Sequence, residues 1–123
     1  MNWETGAACQ GQFIDDFYPD SNTVLNAVKR ICAGCPVREA CLVAAIPERH
    51  GFWAGLTMID RERLRASANI VLAPDDGDVG RYRRASQEAW RTGDYVTALG
   101  KILGVSIARR ILEDNGVVSR RVA

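Results

Sequence analysis

The sequence predicts a mostly helical protein, in which a small helical bundle is linked to a small helix-turn-helix-like segment. Apolar residues recur at helical spacing in several stretches, and no strand–helix–strand pattern is visible. A stretch rich in Pro, Gly and Asp separates these helical patterns into two groups. With 123 residues, the chain is one ordinary domain or two very small ones, and a large core is not available.

The composition is that of a globular protein, with 47% hydrophobic and 25% charged residues. No apolar run approaches the ~18 residues that a membrane span needs. The N-terminal stretch MNWETGAACQ lacks a positively charged segment followed by an apolar one. We therefore expect no secretory signal, a cytoplasmic location and no membrane partner. In a reducing cytoplasm we expect no permanent disulfides.

Charge divides the chain into two parts. Residues 1–50 hold four Lys or Arg against six Asp or Glu, whereas residues 81–123 hold nine against four, a net charge of +5. Between them, residues 73–80 contain one Pro, two Gly and three Asp and show no apolar periodicity. We predict a cysteine-bearing domain at 1–72, a linker at 73–80 and a basic segment at 81–123.

The first predicted helix leads to a cysteine. The stretch SNTVLNAVKRIC offers Ser21 or Asn22 as an N-cap and ends near Cys32. Its apolar stripe consists of Val24, Leu25, Val28 and Ile31. The preceding stretch FIDDFYPD predicts a turn or a short helix. Because Phe17 and Tyr18 are adjacent, they cannot both face one core, and we expect one of them to be exposed.

Three of the four cysteines, Cys32, Cys35 and Cys41, lie within ten residues, and Cys9 lies upstream. Clustered thiolates in a cytoplasmic protein usually hold a metal, and four can close a zinc site or an iron–sulfur cluster. The spacing C-x22-C-x2-C-x5-C is a poor match to a zinc ribbon. The single histidine, His50, is expected at the surface.

An alternative interpretation gives the cysteines other roles. Cys41 could be a small buried hydrophobe, with Cys32 and Cys35 as an idle or redox-active pair. Dithiol oxidoreductases, however, normally place such a pair after a buried strand, and no such pattern is present.

The next predicted helix begins at Pro36, after a tight turn that Gly34 permits. Its apolar stripe consists of Val37, Ala40, Cys41, Ala44 and Ala45. Helical side chains lean toward the N-terminus, so Cys41 is expected to point back toward Cys32 and Cys35. The helix N-terminus and Arg38 would favour thiolates and a negatively charged cluster.

The stretch GFWAGLT, residues 51–57, predicts a tight turn that projects Phe52 and Trp53 in different directions. Trp53 either covers the core or the cysteine cluster, or it marks an interface. The following stretch DRERLRAS alternates acids with arginines and is interpreted as a solvated helix face.

The basic segment contains two short helical patterns, separated by Gly104, and resembles a helix-turn-helix. Ser106 is predicted to cap the second helix and Gly116 to end it. The apolar positions are Val96, Leu99, Ile102 and Leu103 in the first helix and Ala108, Ile111 and Leu112 in the second. A preceding helix, residues 82–91, would close a three-helix unit through Tyr82, Ala85, Ala89 and Trp90, and VVSRR would follow as a short strand.

In that unit the second helix would enter the major groove of DNA. Base contacts are expected from Ser106, Ile107, Arg109 and Arg110, and phosphate contacts from Arg84, Lys101, Arg120 and Arg121. The alternative is an interaction module, since similar helix pairs occur in proteins that never touch DNA.

The order Trp3, Cys9, Phe17–Tyr18, Cys32-x2-Cys35-x5-Cys41 and a glycine–aromatic turn resembles the WhiB-like family of actinobacterial and actinophage transcription regulators, over residues 1–66. The resemblance implies a small helical bundle around a [4Fe-4S] cluster held by Cys9, Cys32, Cys35 and Cys41. It also implies a partner, region 4 of the primary sigma factor. The positions that match the family's contact residues are Trp3, Phe17, Tyr18 and Trp53. Phe52, which precedes Trp53 in the glycine–aromatic turn, is added to this predicted contact set.

The chain departs from the family pattern at Phe52, where members usually have Val or Ile, and at Ala54, where they usually have Gly. The sequence as a whole predicts a transcription regulator, without catalytic activity, that docks on sigma region 4 and binds promoter or operator DNA. A response to redox state or nitric oxide is a candidate property. The alternatives are a thiol–disulfide redox protein acting through Cys32 and Cys35, and a sigma-binding repressor that does not contact DNA.

Overall fold

The computed structural model describes residues 3–9, 17 and 26–117. These residues form six α-helices, a 3-10 helix at Trp3–Gly6 and one isolated antiparallel bridge between Trp53 and Leu56. The helices are α1 (Asn26–Ala33), α2 (Arg38–Ala45), α3 (Met58–Ser67), α4 (Gly77–Thr92), α5 (Tyr95–Leu103) and α6 (Val105–Asp114). The mostly helical prediction is confirmed. None of these helices is long and apolar enough to cross a membrane.

Helix α1 places Cys32 in its last turn, as the sequence predicted. Val28 and Cys32 are buried and pack with Phe17 and Phe52 in a small apolar cluster. The N-cap proposed at Ser21 or Asn22 and the apolar residues Val24 and Leu25 lie outside the described residues. The described part of α1 therefore packs Cys32 against Phe52 of the glycine turn.

Helix α2 is the central element of the fold. It begins at Arg38, two residues after the predicted start, because Val37 takes the N-cap position and Pro36 lies in the preceding turn. Most of α2 is buried, which is expected of a helix that packs on more than one side. It contacts α4 and α5. Its backbone is also tied to α4, since the hydroxyl of Ser86 donates to the carbonyl of Ala40.

The predicted linker at 73–80 is too long, because residues 77–80 belong to α4. Asp78 explains the early start of this helix. Its carboxylate accepts from the backbone N–H of Ala73 and pairs with Arg81 at 3.1 Å, near the positive end of the helix. The basic segment is also not separate from the first part of the chain. One hydrophobic core runs from Trp3 to Val117 and includes residues of α2, α4, α5 and α6.

Helices α4 to α6 form the predicted three-helix unit, with a tighter turn than expected. Gly104 alone separates α5 from α6, and its φ of 84° suits glycine. Gly100 permits this approach, since a Cβ there would lie 3.2 Å from the Val105 side chain. Ser106 therefore lies inside α6 and is not its cap, which corrects the sequence prediction. Of the predicted strand VVSRR, only Val117 is among the described residues.

Helix α3 begins directly after the glycine turn. Thr57 and Asp60 form a capping box, with reciprocal bonds of 2.9 and 3.1 Å. The prediction of a solvated face is wrong for Arg61 and Arg65, which are buried, and correct for Arg63, which is exposed. The reason is that both buried guanidinium groups donate to backbone carbonyls of the segment after α2.

Truncating Leu99, on α5, should destabilise the whole chain. Its side chain is 0% exposed in the shared core, so Leu99→Ala is expected to lower the free energy of unfolding by ~2–5 kcal/mol. Val71→Ala is the control, because Val71 is 91% exposed and should change stability by no more than ~0.5 kcal/mol. The measurement is anaerobic urea unfolding followed by circular dichroism. Equal midpoints for the two variants would contradict the common core.

Candidate metal centre and its glycine turn

Four thiols come within electrostatic range of one another. Cys9 follows the 3-10 helix, Cys32 ends α1, Cys35 lies between α1 and α2, and Cys41 lies on α2. All are free thiols. Cys9 interacts with Cys35, and both act on Cys32; Cys41 interacts with the other three. The predicted orientation of Cys41 toward the cysteine loop is therefore what the structure shows.

The protonation of these thiols reflects burial and mutual repulsion. Burial, followed by the neighbouring thiolates, raises the pKa of Cys41 to about 12. Burial also raises the pKa of Cys32. The pKa of Cys9 is raised as well, because neighbouring atoms partly shield its thiol from water and Cys35 lies nearby, even though the residue as a whole is exposed. The Arg38 guanidinium acts in the opposite direction on the pKa of Cys32. Binding of a metal must therefore release protons from these groups.

Backbone N–H groups act on three of the sulfur atoms. The N–H of Ala8 donates to the Sγ of Cys35 at 3.3 Å. The backbone N–H groups of Gly55 and Ala54 act to lower the pKa of Cys32 and Cys41 respectively, against the larger effect of burial. Such bonds stabilise thiolates, and around an iron–sulfur cluster they tune the reduction potential.

A single metal ion and an iron–sulfur cluster require different distances between the thiols. In the described part of the chain, no group of three or more His, Cys, Asp or Glu is placed to hold one metal ion. A tetrahedral zinc with bonds of about 2.3 Å would need sulfur atoms about 3.8 Å apart. In a cluster of four irons the cysteines bind different irons and stand farther apart. His50 is exposed, as predicted. Four free thiols, one of which accepts a backbone N–H at 3.3 Å, match the ligand number and type of such a cluster.

The turn at residues 51–57 has an unusual backbone. Gly51 and Gly55 both have a φ of 83°, and Ala54 has a φ of 53°. The left-handed region costs a residue with a Cβ more than it costs glycine, which accounts for the glycine usual in the family at the position of Ala54. Trp53 and Leu56 exchange backbone hydrogen bonds of 3.1 and 2.8 Å, which close the turn.

Arginines hold the carbonyl side of this turn. Arg61 donates from Nε to the carbonyl of Glu48 at 2.9 Å and from Nη1 to that of Leu56 at 2.8 Å. Its Nη2 donates to the carbonyls of His50 and Gly51, at 2.8 and 2.7 Å. Arg38 donates from Nε to the carbonyl of Ala54 at 3.1 Å. Sequence analysis missed the role of Arg61, and its spacing of four from Arg65 was the one available signal.

The predicted partner-binding aromatic residues are mostly buried. The side chain of Trp3 lies in the main core, and its backbone N–H donates to the Oε1 of Gln87, on α4, at 3.3 Å. Phe17 and Phe52 lie in the smaller cluster with Cys32. These three side chains are buried within the chain itself, so they do not form an exposed contact surface in this structure. Trp53 is half-buried, and its Nε1 donates to the carbonyl of His50 at 3.1 Å. Tyr18 lies outside the described residues.

The predicted DNA-binding residues divide into accessible and engaged groups. Arg84, Ser106 and Arg109 are exposed. Lys101 is exposed but pairs with Glu88 at 2.6 Å, and Arg110 donates to the carbonyl of Ser67 at 3.0 Å. Ile107 packs against the main core and is not on the outer face of α6. Arg120 and Arg121 lie outside the described residues. Fewer of the predicted DNA-binding residues are therefore accessible than the sequence suggested.

The fold and the site define a small helical protein organised around four cysteines and a glycine turn. The family model described as Transcription factor WhiB matches residues 3–64, which is 62 of 123 residues. The chain belongs to the WhiB family. The matched region ends in α3, so the helices α4 to α6 lie beyond it.

Curated relatives agree with this assignment. Transcriptional regulator WhiB2 of Mycolicibacterium smegmatis is 40% identical over 71 residues, which cover 56% of this chain and 54% of the relative. Transcriptional regulator WhiB of Streptomyces coelicolor is 33% identical over 70 residues, covering 55% and 80%. Transcriptional regulator WhiD of the same organism is 34% identical over 92 residues, covering 64% and 80%. The chain thus spans about half the length of the WhiB2 relative. No solved structure matches the chain significantly.

Proposed function

We propose that this protein is a transcription regulator that holds a [4Fe-4S] cluster with Cys9, Cys32, Cys35 and Cys41. The observation that carries the proposal is the convergence of four thiols beside the glycine turn, where the N–H of Ala8 donates to Cys35 and Phe52 packs with Cys32. The family membership supports it, because the relatives are named as transcriptional regulators. When bound, the cluster supplies a redox-active iron centre.

The chain's own residues prepare this site. The N-terminus of α2 and the Arg38 guanidinium lie beside the cysteine loop and offset the negative charge of four thiolates. The raised pKa of Cys32 lowers its thiolate fraction, which makes a thiol–disulfide exchange role less suited to this structure. No catalytic step is part of the proposal.

The proposed partner is region 4 of the primary sigma factor, as the family resemblance implies. Of the described aromatic residues proposed for this contact, Trp53 is the one that remains partly exposed, on a turn held by hydrogen bonds on both sides. A fixed, partly exposed indole is a suitable anchor for a hydrophobic interface. Anaerobic co-purification with region 4 tests the partnership, and retention of the protein is the expected result.

DNA binding is proposed for the outer face of α6. Ser106 and Arg109 are exposed there, whereas Ala108, Ile111 and Leu112 face the core. An exposed arginine in the first turns of such a helix can reach a guanine in the major groove. The charge excess of residues 81–123 would attract the phosphate backbone.

Arg109→Ala should weaken the preference for promoter DNA over unrelated DNA by ~1–3 kcal/mol, because it would remove a base contact. Arg120→Ala should weaken binding to all sequences and reduce its salt dependence. Gel-shift titrations of the full chain at about 50 and about 200 mM salt measure both effects. Arg30→Ala is the control, since Arg30 is exposed on α1 and outside the proposed surface. If no complex forms at low salt, α4 to α6 are an interaction module.

A second candidate is a sigma-binding repressor that does not contact DNA. It is favoured by two intramolecular contacts, of Lys101 with Glu88 and of Arg110 with Ser67. Both engage residues that were predicted to contact DNA. The gel-shift titrations separate the two candidates, because the repressor would bind region 4 and leave the DNA unshifted.

A further inference from the structure

We propose that Arg61 is a positioning residue for the cysteine site: its guanidinium fixes the carbonyl side of the glycine turn, and the turn packs on the site through Phe52, which lies in one apolar cluster with Cys32. The inference rests on the proposed function, since it concerns the cluster that the cysteines would hold. Arg61 does not touch the thiols. It acts through the backbone of residues 48–56.

The carbonyl side of the turn converges on one buried group. Arg61 is 0% exposed, and its three nitrogen atoms donate to four carbonyls at 2.7 to 2.9 Å. Three of these carbonyls, of Glu48, His50 and Gly51, precede the tip of the turn, and the fourth, of Leu56, follows it. A planar guanidinium offers five N–H donors in a fixed fork, so it sets the relative position of all four carbonyls.

The opposite side of the turn faces the cysteines. Ala54 and Gly55 form the tip, with left-handed backbone angles, and Phe52 of the same turn packs with Cys32. The backbone N–H groups of Ala54 and Gly55 act to lower the pKa of Cys41 and Cys32 respectively. The turn is therefore polarised, with carbonyls toward a cation and N–H groups toward sulfur. Because Trp53 and Leu56 are paired across the turn, a shift of the Leu56 carbonyl moves the tip as well.

This arrangement has a measurable consequence for a bound cluster. Hydrogen bonds to cluster sulfurs stabilise added negative charge and so raise the reduction potential. Residues that orient the immediate surroundings of a metal site typically change metal affinity by about 10–100-fold when replaced. Loosening the turn should therefore lower the potential and speed cluster loss, with every cysteine still present.

Arg65 provides a matched control. It lies one helical turn further along α3, is also buried, and donates from Nη1 to the carbonyl of Ile46 at 2.8 Å. Its Nη1 bonds the carbonyls of Ile46 and Glu48, whereas the turn carbonyls of His50, Gly51 and Leu56 are bonded by Arg61. A general effect of removing a buried guanidinium from α3 should appear in both positions, whereas an effect on the turn should appear for Arg61 alone.

The experiment compares Arg61→Lys and Arg61→Gln with Arg65→Lys and Arg65→Gln, each purified anaerobically as the full chain. Glutamine removes the buried charge and keeps two N–H donors, so it provides a second test if lysine disturbs folding. The readouts are the reduction potential by anaerobic spectroelectrochemistry, the rate of loss of visible absorption in air and the helix content by circular dichroism. We expect a lower potential and about 10-fold faster loss for the Arg61 variants, and wild-type values for the Arg65 variants.

Three results would overturn the inference. The first is a wild-type potential and loss rate in folded Arg61 variants. The second is an equal change in the Arg61 and Arg65 variants. The third is unfolding of both Arg61 variants while the Arg65 variants fold, which would assign Arg61 a structural role only. Wild-type protein without iron would instead overturn the proposed function, and this inference with it. Iron content of the wild type therefore distinguishes the two failures.

Discussion

Replacing Cys9 with alanine should remove iron and sulfide as completely as replacing Cys35, although Cys9 lies at the surface and far from the other cysteines in sequence. The structure places its thiol within electrostatic range of Cys35 and Cys32. A cluster that loses one of its four cysteine ligands has an open iron site, and such clusters are easily lost. The measurement is iron and acid-labile sulfide per chain after anaerobic purification.

The control for this experiment is Ala33→Ser, an exposed change next to Cys32 that leaves all four thiols in place. It should keep the wild-type iron and sulfide content. Full iron retention in Cys9→Ala, with loss in Cys35→Ala, would remove Cys9 from the ligand set and leave a site with three cysteines.

Trp53→Ala should weaken binding to sigma region 4 by ~2 kcal/mol or more, which is about 30-fold in the dissociation constant. The indole is half-buried on a turn that hydrogen bonds fix on both sides, so its loss should remove contact area without moving the backbone. Calorimetric titration of the cluster-loaded protein with region 4 measures the change, and visible absorption confirms that the cluster is retained.

Val71→Ala is the matched control, because it truncates a highly exposed apolar side chain outside the turn. It should leave the affinity unchanged. If Trp53→Ala binds region 4 normally, or loses its cluster before binding is affected, Trp53 covers the core and is not an interface anchor.

The helices were predictable where apolar spacing alone determines them. The stripes of α1, α2, α5 and α6 correspond to helices in the structure, with starts that differ by one or two residues where they are described. The linker was predicted too long, because composition cannot show that Asp78, in the first turn of α4, accepts from the N–H of Ala73 in the preceding loop. The prediction of Ser106 as a cap was wrong, because Gly104 alone forms the turn and α6 already begins at Val105.

The approach of Cys41 to the other cysteines could be predicted from the sequence, and the surroundings of these thiols could not. The assignment of the four cysteines as metal ligands stays a prediction. Cysteine spacing identifies the thiols and the helix that aims Cys41. The direction of the N–H groups of Ala54 and Gly55 depends on left-handed backbone angles that tertiary contacts impose. Arg61 appeared solvated because periodicity cannot distinguish a charged helix face from a guanidinium that meets backbone carbonyls. Trp3 lies in the main core and its backbone N–H donates to Gln87 of α4, a contact between distant parts of the chain that local patterns do not reveal.

The central claim is that the four cysteines together hold a four-iron cluster, and one measurement tests it most directly. The full chain is purified without oxygen and analysed by absorption spectroscopy together with iron, sulfide and zinc content. The account predicts about four iron and four sulfide per chain and a broad visible absorption that bleaches in air. One zinc per chain, or four reactive thiols without bound metal, would contradict it.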